Sequence, residues 1–263
     1  MKKLTIKKWS IVLGVLMLLS FQTISAENTV EYVEQSDNIY AFHATEVPET
    51  KTVSLEGETK QVSYQSSTRN DDTEAALHVY TDNGIDQYLY NDAGEMTGFL
   101  LNEKQAISSR SVLRASSPEE RKQLCEQYLS AYTDIENYQY SGEQFIEDQN
   151  HYNVQYYRVI NGCKTSDVAF VFIKETGEIT AFAVPNKGMF DGVVIPNINF
   201  DLYEEQVLQA ASERYSDVIS CSVMDKILEK TVHGIQLNVF VEVKFSRDGQ
   251  ELAQGDMFTV KID

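Results

Sequence analysis

Hydrophobic and polar residues alternate from residue 152 to residue 184 with a period of two, which predicts a three-stranded antiparallel meander. Asn161-Gly162 and Thr176-Gly177 separate the three runs. An Asn-Gly pair favours a two-residue type I′ turn, because both of its positions accept positive φ. The two turns place the same apolar residues on one face of the predicted sheet: Tyr152, Val154, Tyr156, Ala169, Val171, Phe182 and Val184.

The first turn also predicts a strand register in which Tyr156 lies opposite Asp167, and the second turn sets Val171 opposite Phe182. The middle strand is apolar on its second face as well, where Phe170 and Phe172 lie beside small alanines. A strand that is apolar on both faces is normally covered on both. The cover is either another part of the chain or a partner, and we favour the chain itself, because burial of each ring is worth roughly 1.5–3 kcal/mol.

Two helices are predicted from their start signals. Ser117-Pro118-Glu119-Glu120 combines an N-cap serine, a proline in the first helical position and a glutamate that closes a capping box. Asp201-Leu202-Tyr203-Glu204 repeats the capping-box pattern, and an apolar stripe at helical spacing follows each start. The alternating run from Ile235 to Phe245, with a turn at Asp248-Gly249, then predicts a second hairpin with one apolar face.

Residues 27–115 contain strand-like runs, with a hairpin over Val53–Tyr64 and three strands within residues 77–101. The polar segment Ser66–Thr73 is predicted as a loop, and residues 105–115 as a linker. The order of capped helix, extended strand and hairpin then occurs twice, which indicates an internal duplication.

The predicted fold class is therefore α+β, with tandem small units of one helix packed on an antiparallel meander, preceded by a β-rich region. Four segments follow from this interpretation: a signal peptide at 1–26, the β-rich region and linker at 27–115, one repeat at 116–198 and a second at 199–263.

The meander carries Tyr152–Arg158, Asn161-Gly162 and Thr176–Ile179 after a capped helix, and in this it resembles the PepSY-type repeats of proteins secreted by Gram-positive bacteria. The resemblance covers residues 117–184 and 201–262. It implies an extracellular module of the kind found in propeptides that restrain secreted peptidases and in stand-alone domains. No peptidase follows the repeats in this sequence, which argues against restraint of a peptidase on the same chain.

The first 26 residues have the pattern of a secretory signal peptide. Lys2, Lys3, Lys7 and Lys8 form a basic region, Ile11–Phe21 is a short apolar core, and Ile24-Ser25-Ala26 is a small-residue cleavage site. The apolar core is well short of the roughly 20 residues that a spanning helix needs. We expect the mature protein to begin at Glu27, to be released from the membrane and to be extracellular.

The charge of the chain limits its partners. The formal net charge is −18, and the leader contains four lysines and no acid, so its removal makes the charge −22. Binding to nucleic acid or to an anionic membrane depends on attraction to phosphate, and this charge disfavours both. Three cysteines, Cys125, Cys163 and Cys221, are far apart and odd in number, which indicates buried thiols more than a disulfide framework.

Motifs that carry catalysis or bind cofactors are missing from the sequence. His43, His78, His151 and His233 are scattered, and the spacings of zinc peptidases, serine hydrolases, P-loops and dinucleotide-binding folds do not occur. His151 and His233 fall near predicted turns, where we expect solvated imidazoles. Asp82 and Asp86 flank a turn, but they lack the spacing of a calcium-binding loop. The sequence therefore predicts no catalytic, metal or cofactor-binding residue.

Candidate partner contacts are few. Phe170 and Phe172 are candidates if their face is exposed, and Arg158 and Asp167, which the register makes cross-strand neighbours, are candidates for either an ion pair or a ligand contact. We expect a secreted, non-enzymatic interaction module that binds an extracellular protein or peptide with a basic rim. The alternatives are an extracellular hydrolase whose acids meet only in three dimensions, and a passive envelope component.

Overall fold

The computed structural model describes residues 22–24, 39–42, 44, 46–55, 58–70, 75–82, 84–101, 107–108, 115–195 and 199–262. The predicted leader, most of the predicted linker and His43 therefore lie outside the described residues, apart from the short segments named below. Within the described ranges there are two α-helices, α1 (Pro118–Leu129) and α2 (Phe200–Arg214). Single 3₁₀ turns occur at Ile135–Asn137 and Glu147–Gln149.

The strands are numbered in chain order: β1 (Gln22–Ile24), β2 (Ile39–Phe42), β3 (Thr50–Leu55), β4 (Glu58–Asn70), β5 (Ala76–Asp82), β6 (Asp86–Asn91), β7 (Met96–Leu100), β8 (Ile107–Ser108), β9 (Tyr138–Ile146), β10 (His151–Ile160), β11 (Cys163–Ile173), β12 (Glu178–Ala183), β13 (Val218–Thr231), β14 (Gly234–Arg247) and β15 (Gln250–Ile262).

The chain divides into two compact units. Of the described residues, the larger unit contains those from 39 to 195 together with 229–233, and the smaller unit contains 22–24, 199–228 and 234–262. In the larger unit the antiparallel strands run in the order β9-β10-β11-β12-β7-β6-β5-β4, with β2 and β3 both paired to β4 and β8 paired to β12. In the smaller unit, β14 pairs with β15 along its whole length, and β1 lies parallel to β15.

The predicted α+β fold of tandem helix-on-meander repeats is wrong. Strands make up more than half of the described residues, and the architecture is β-rich, with two helices. The reason is a pairing between segments that are distant in sequence: Ala181, Phe182 and Ala183 of β12 are hydrogen-bonded to Leu100, Phe99 and Gly98 of β7. The meander is thus the continuation of a larger sheet instead of an independent repeat.

One hydrophobic core spans the larger unit. It is formed by one face of the sheet together with α1, and its buried members come from β3 through β12, including Val53, Tyr80, Tyr88, Phe99, Leu124, Leu129, Tyr156, Val171 and Phe182. An edge-to-face pair of rings joins β7 to β12 within this core: the Phe99 and Phe182 centroids are 4.9 Å apart. Interlocked aromatic rings of this kind add stabilisation beyond the area that they bury.

The faces of the meander are as predicted, but its register is shifted. Asn161 and Gly162 both have positive φ, as the predicted type I′ turn requires. A bulge between Tyr157 and Val159 then places Tyr156 opposite Ala169 instead of Asp167. The shift is two residues, so every side chain stays on its predicted face. The predicted pairing of Val171 with Phe182 is confirmed.

Other local predictions have mixed outcomes. The capping box of Ser117 and Glu120 is confirmed, as are the pairs of the last hairpin, such as Val239 with Phe258. The second capping box is wrong, because α2 begins at Phe200 after Asn199, which makes no side-chain cap. The predicted loop at Ser66–Thr73 is also wrong as far as Asn70, where β4 ends, because that segment pairs with β5.

Candidate functional site

The second face of the meander is buried within the chain itself. Phe170 and Phe172 are 7% and 4% exposed, and their ring centroids lie 5.7 Å apart in an edge-to-face arrangement. His151, which the sequence predicts as a solvated turn residue, is instead buried with its ring 4.7 Å from that of Phe172. These two phenylalanines therefore form covered packing, as favoured from the sequence, and offer no exposed aromatic patch.

Arg158 and Asp167 form the predicted cross-strand ion pair, but they share it with a third residue. Arg158 Nη1 lies 3.5 Å from Asp167 Oδ2 and donates a 2.6 Å hydrogen bond to Asp191 Oδ1. Tyr138 on β9 donates its hydroxyl proton to the other oxygen of Asp167 at 2.6 Å. The sequence did not indicate Asp191 or Tyr138, since neither the edge strand nor the loop after β12 has a fixed register to this turn.

Burial controls the electrostatics of this cluster. Asp167 is fully buried, and desolvation raises its pKa from 3.8 to about 6, although Tyr138 and Arg158 both oppose the shift. Desolvation, assisted by the neighbouring Asp167, also raises the pKa of the Tyr138 hydroxyl. Asp191 is largely exposed. The cluster therefore joins one buried and one exposed carboxyl group through a single guanidinium.

This pair of carboxyl groups does not form an acid site of the hydrolase type. A general acid needs a raised pKa, which Asp167 has, but it must also reach substrate. Asp167 has no exposed surface, and Arg158 lies against both carboxylates. The structural interpretation of the pair, an ion pair beside the turn, fits the geometry better than a ligand contact.

A second arrangement, missed from the sequence, contains the three residue types of a hydrolase triad. Ser67 Oγ lies 2.7 Å from His78 Nδ1, and His78 Nε2 lies 3.1 Å from Asp92 Oδ1. Ser67 faces His78 directly across β4 and β5. The sequence pattern predicts a loop at Ser66–Thr73, and a loop has no register that would place Ser67 opposite His78.

Two features of this arrangement argue against nucleophilic catalysis. Ser67 is fully buried, and its hydroxyl is also 2.8 Å from the Tyr64 hydroxyl, which accepts the backbone N–H of Ala44. In a Ser-His-Asp triad, the serine contacts Nε2 of the imidazole and the aspartate contacts Nδ1, and the order here is reversed. The chain of hydrogen bonds instead satisfies buried polar groups between two strands.

The acids that flank the β5–β6 turn are held by a lysine. Lys60 Nζ is 3.3 Å from Asp82 Oδ2 and 3.1 Å from Asp86 Oδ2, so these carboxylates already have a cationic partner. No group of three or more His, Cys, Asp or Glu side chains in the described part of the chain could hold a metal ion.

The strand β9 is an edge of the sheet. Over the described residues it is hydrogen-bonded to β10 on one side and to no further strand on the other. Phe145 on this strand is 44% exposed, and its ring centroid lies 4.9 Å from that of the half-buried Tyr152 on β10. Tyr140, also half-buried, lies further along the same edge. A strand edge of this kind, with one exposed aromatic side chain beside half-buried ones, is a template for another strand.

Helix α1 fixes the position of this edge strand. Arg121 is 3% exposed and is bidentate to Glu143 of β9, with Nε 2.8 Å from Oε2 and Nη2 bonded to Oε1. Its guanidinium also lies 3.6 Å from the centre of the Tyr152 ring and donates to the carbonyl of Ala115. The edge is therefore held in place by charge-assisted bonds that do not depend on a partner.

The ends of β9 are acidic. Exposed Asp134 and Glu136 precede the strand, and exposed Glu147 follows it. The aromatic side chains of the edge thus lie between negative groups on a chain whose net charge is −18. None of the helices in the described residues is long and apolar enough to cross a membrane.

Comparison with known proteins adds no assignment to this geometry. No family model matches the chain, and no curated protein matches it. The family relationship to PepSY-type repeats therefore stays a prediction from the sequence. The repeat architecture that the resemblance implies is wrong, as described above.

Proposed function

We propose that this protein is an extracellular, non-enzymatic binding module that takes an extended segment of another protein or peptide onto the edge strand β9. The observation that carries the proposal is that the outer edge of β9 pairs with no strand among the described residues, and that Phe145 on it is 44% exposed. Main-chain hydrogen bonds to the edge supply affinity that is largely independent of sequence, and the side chains beside the edge supply selectivity.

The chemistry of the edge defines the partner. Phe145, Tyr152 and Tyr140 favour an apolar or aromatic side chain at alternate positions of the bound segment, because alternate residues of a strand face the same side. Exposed acids at both ends of β9 favour basic residues on either side of the apolar positions. The bound segment is therefore extended, apolar at its centre and basic at its ends.

Peptide display tests the proposal directly. Random dodecapeptides are selected against the protein without residues 1–26, and the enriched sequences are synthesised and titrated. We expect basic, apolar peptides whose affinity falls about tenfold or more in Phe145→Ser, as for an anchor residue in an interface. Ile85→Ser is the matched control, since Ile85 is also an exposed apolar residue, at 56%, but lies at the β5–β6 turn.

N-methylated peptides separate strand addition from other modes of binding. Only every second amide of an added strand faces the edge that it joins. Methylation of one alternate set should therefore abolish binding, and methylation of the other set should leave it unchanged. Equal effects of the two sets, or no enriched peptide at all, would refute the proposed mode and favour a passive envelope component.

The extracellular location rests on the sequence of the leader. We expect intact-mass measurement of the secreted protein to give a chain that begins at Glu27, after the Ile24-Ser25-Ala26 site. Recovery of the whole chain from the membrane fraction would contradict release.

A further inference from the structure

Loop 186–194, between β12 and α2, is tied to the β10–β11 hairpin by Arg158. Arg158 Nη1 bonds to Asp191 Oδ1 at 2.6 Å, and Nη2 lies 3.5 Å from the carbonyl oxygen of Phe190. Phe190 is buried, whereas the side chain of Asp191 is 72% exposed and Val194 is 90% exposed. The Arg158–Asp191 pair is thus a side-chain bond from the hairpin to the exposed part of the loop.

The same nitrogen of Arg158 also faces the buried carboxyl of Asp167, at 3.5 Å. One positive charge therefore lies between two carboxylates whenever Asp167 is ionised. The two negative groups repel each other, and this repulsion adds to the desolvation that disfavours the ionised form of Asp167. When Asp167 is protonated, the repulsion disappears and the full charge of Arg158 acts on Asp191.

We propose that the protonation state of Asp167 sets how firmly loop 186–194 is held through Arg158, so that the loop is tighter in mildly acidic than in neutral solution. The proposal does not rest on peptide binding at β9, although Tyr138 at the start of that strand contacts Asp167. It stands on geometry: a buried carboxyl, a single guanidinium and an exposed carboxylate in one chain of contacts.

The other groups around Asp167 do not reverse the direction of the effect. The titratable or charged side chains that act on it are Tyr138 from β9, Arg158 from β10 and Asp191 from the loop. Tyr138 donates to Asp167 Oδ1 through a hydroxyl whose pKa is raised, so it stays protonated across the range from pH 5 to 8.

Further anchors at or beside the loop do not involve Asp167. Asn186 Nδ2 donates to the carbonyl of Ser166 at 2.8 Å, and Lys230 Nζ donates to the carbonyl of Met189 at 3.0 Å. Lys187 Nζ lies 3.3 Å from Glu95 Oε2, and Asn161 Nδ2 donates to the carbonyl of Ile195, just after the loop, at 3.2 Å. The proposal therefore predicts a local change at residues 191–194 and no loss of the loop as a whole. The pKa of Asp167, about 6, puts the change between pH 5 and pH 7.5.

Amide hydrogen exchange measures the effect. The amides of Asp191 and Val193 bond to the carbonyls of Gly188 and Phe190, so their protection reports how firmly the loop is held. After correction for intrinsic rates, we expect protection of residues 191–194 to fall about threefold from pH 5 to pH 7.5, the size of a change in one part-exposed ion pair. Amides of β5 serve as the internal control.

Two variants make the test decisive. Asp167→Asn is a neutral isostere and should show the high, acid-like protection at both pH values. Asp191→Asn removes the exposed carboxylate and should show low protection at both. Equal protection of the wild-type loop at the two pH values, or pH dependence that persists in Asp167→Asn, would overturn the proposal. If Asp167→Asn does not fold, the Asp191→Asn variant still tests the proposal. Loop protection that remains pH-dependent in Asp191→Asn would also overturn it.

Discussion

Arg121 of α1 and Glu143 of β9 form a bidentate ion pair that ties the helix to the edge of the sheet. Arg121 is 3% exposed, and Glu143 is the carboxylate that is hydrogen-bonded to its guanidinium. Breaking a buried pair by removing one partner leaves the other charge uncompensated, which costs roughly 3–5 kcal/mol. Glu143 is partly exposed, at 15%, and this places the expected cost toward the lower end.

Glu143→Gln should therefore lower the free energy of unfolding by about 3 kcal/mol in urea denaturation. Glu126→Gln is the matched control, since Glu126 pairs with Lys122 on the same helix at 3.8 Å but both side chains are well exposed. That change should cost less than about 1 kcal/mol. Equal losses in the two variants would show that the buried pair adds nothing specific.

Gly98→Ala should destabilise the sheet where β7 meets β12. A Cβ at residue 98 would lie 2.5 Å from the carbonyl oxygen of Phe182 and 3.0 Å from the Ala183 Cα, and backbone cannot move aside as a flexible side chain does. We expect a loss of roughly 1–3 kcal/mol in thermal or urea unfolding. Gly255→Ala is the control, because a Cβ there meets nothing within 4 Å and should change stability by less than about 0.5 kcal/mol.

Ser117→Ala should cost about 1 kcal/mol of stability, since the Ser117 hydroxyl accepts the N–H of Glu120 at 3.2 Å in the capping box of α1. Asn199→Ala tests the same position in α2. Asn199 makes no side-chain cap there, so its replacement should leave the urea midpoint almost unchanged. A larger effect at Asn199 than at Ser117 would contradict the assignment of the caps.

The pKa of Asp167 gives stability a pH dependence of known sign. The folded pKa of about 6 is above the unfolded value, so the folded state binds the proton more tightly. The contribution of Asp167 is fully present below about pH 3.8 and is lost as pH rises through about 6, a total of roughly 3 kcal/mol. Unfolding of the wild-type protein at pH 4.5 and 7.5, compared with Asp167→Asn, measures about 2 kcal/mol of this total, because part of it is already lost at pH 4.5. The variant should lack this component and be the more stable of the two at pH 7.5.

Local structure was predicted well wherever a turn or cap has its own chemistry. Asn161-Gly162 assigned Tyr156 and Val171 to one face and Phe170 to the other, and all three lie as expected. The Ser117 cap was equally clear, because the residue types that satisfy free helix N–H groups are few. The second cap failed because Asp201 has the right spacing to Glu204 but lies inside a helix that begins one residue earlier.

The fold class and the site depended on contacts between distant segments, which local patterns do not specify. Nothing in the sequence of β7 indicates that Gly98 faces Ala183, yet that contact joins the meander to the N-terminal strands. The sequence does not predict the candidate site for the same reason. β9 is an edge because no second described strand pairs with it, and a local pattern does not show which strands pair. Asp191 reaches Arg158 from a loop, where no register exists to predict it.

The bulge opposite Arg158 has a consequence for changes in chain length. Thr165, Ser166 and Asp167 fill a place that an unbroken ladder would fill with one residue, so the strand carries two extra residues. Deleting one residue there would turn every later side chain of β11 over, sending Val171 to the face that Phe170 now occupies and Phe170 into the α1 core. Deleting two would keep the orientations. Insertions and deletions are tolerable at this point only in even numbers.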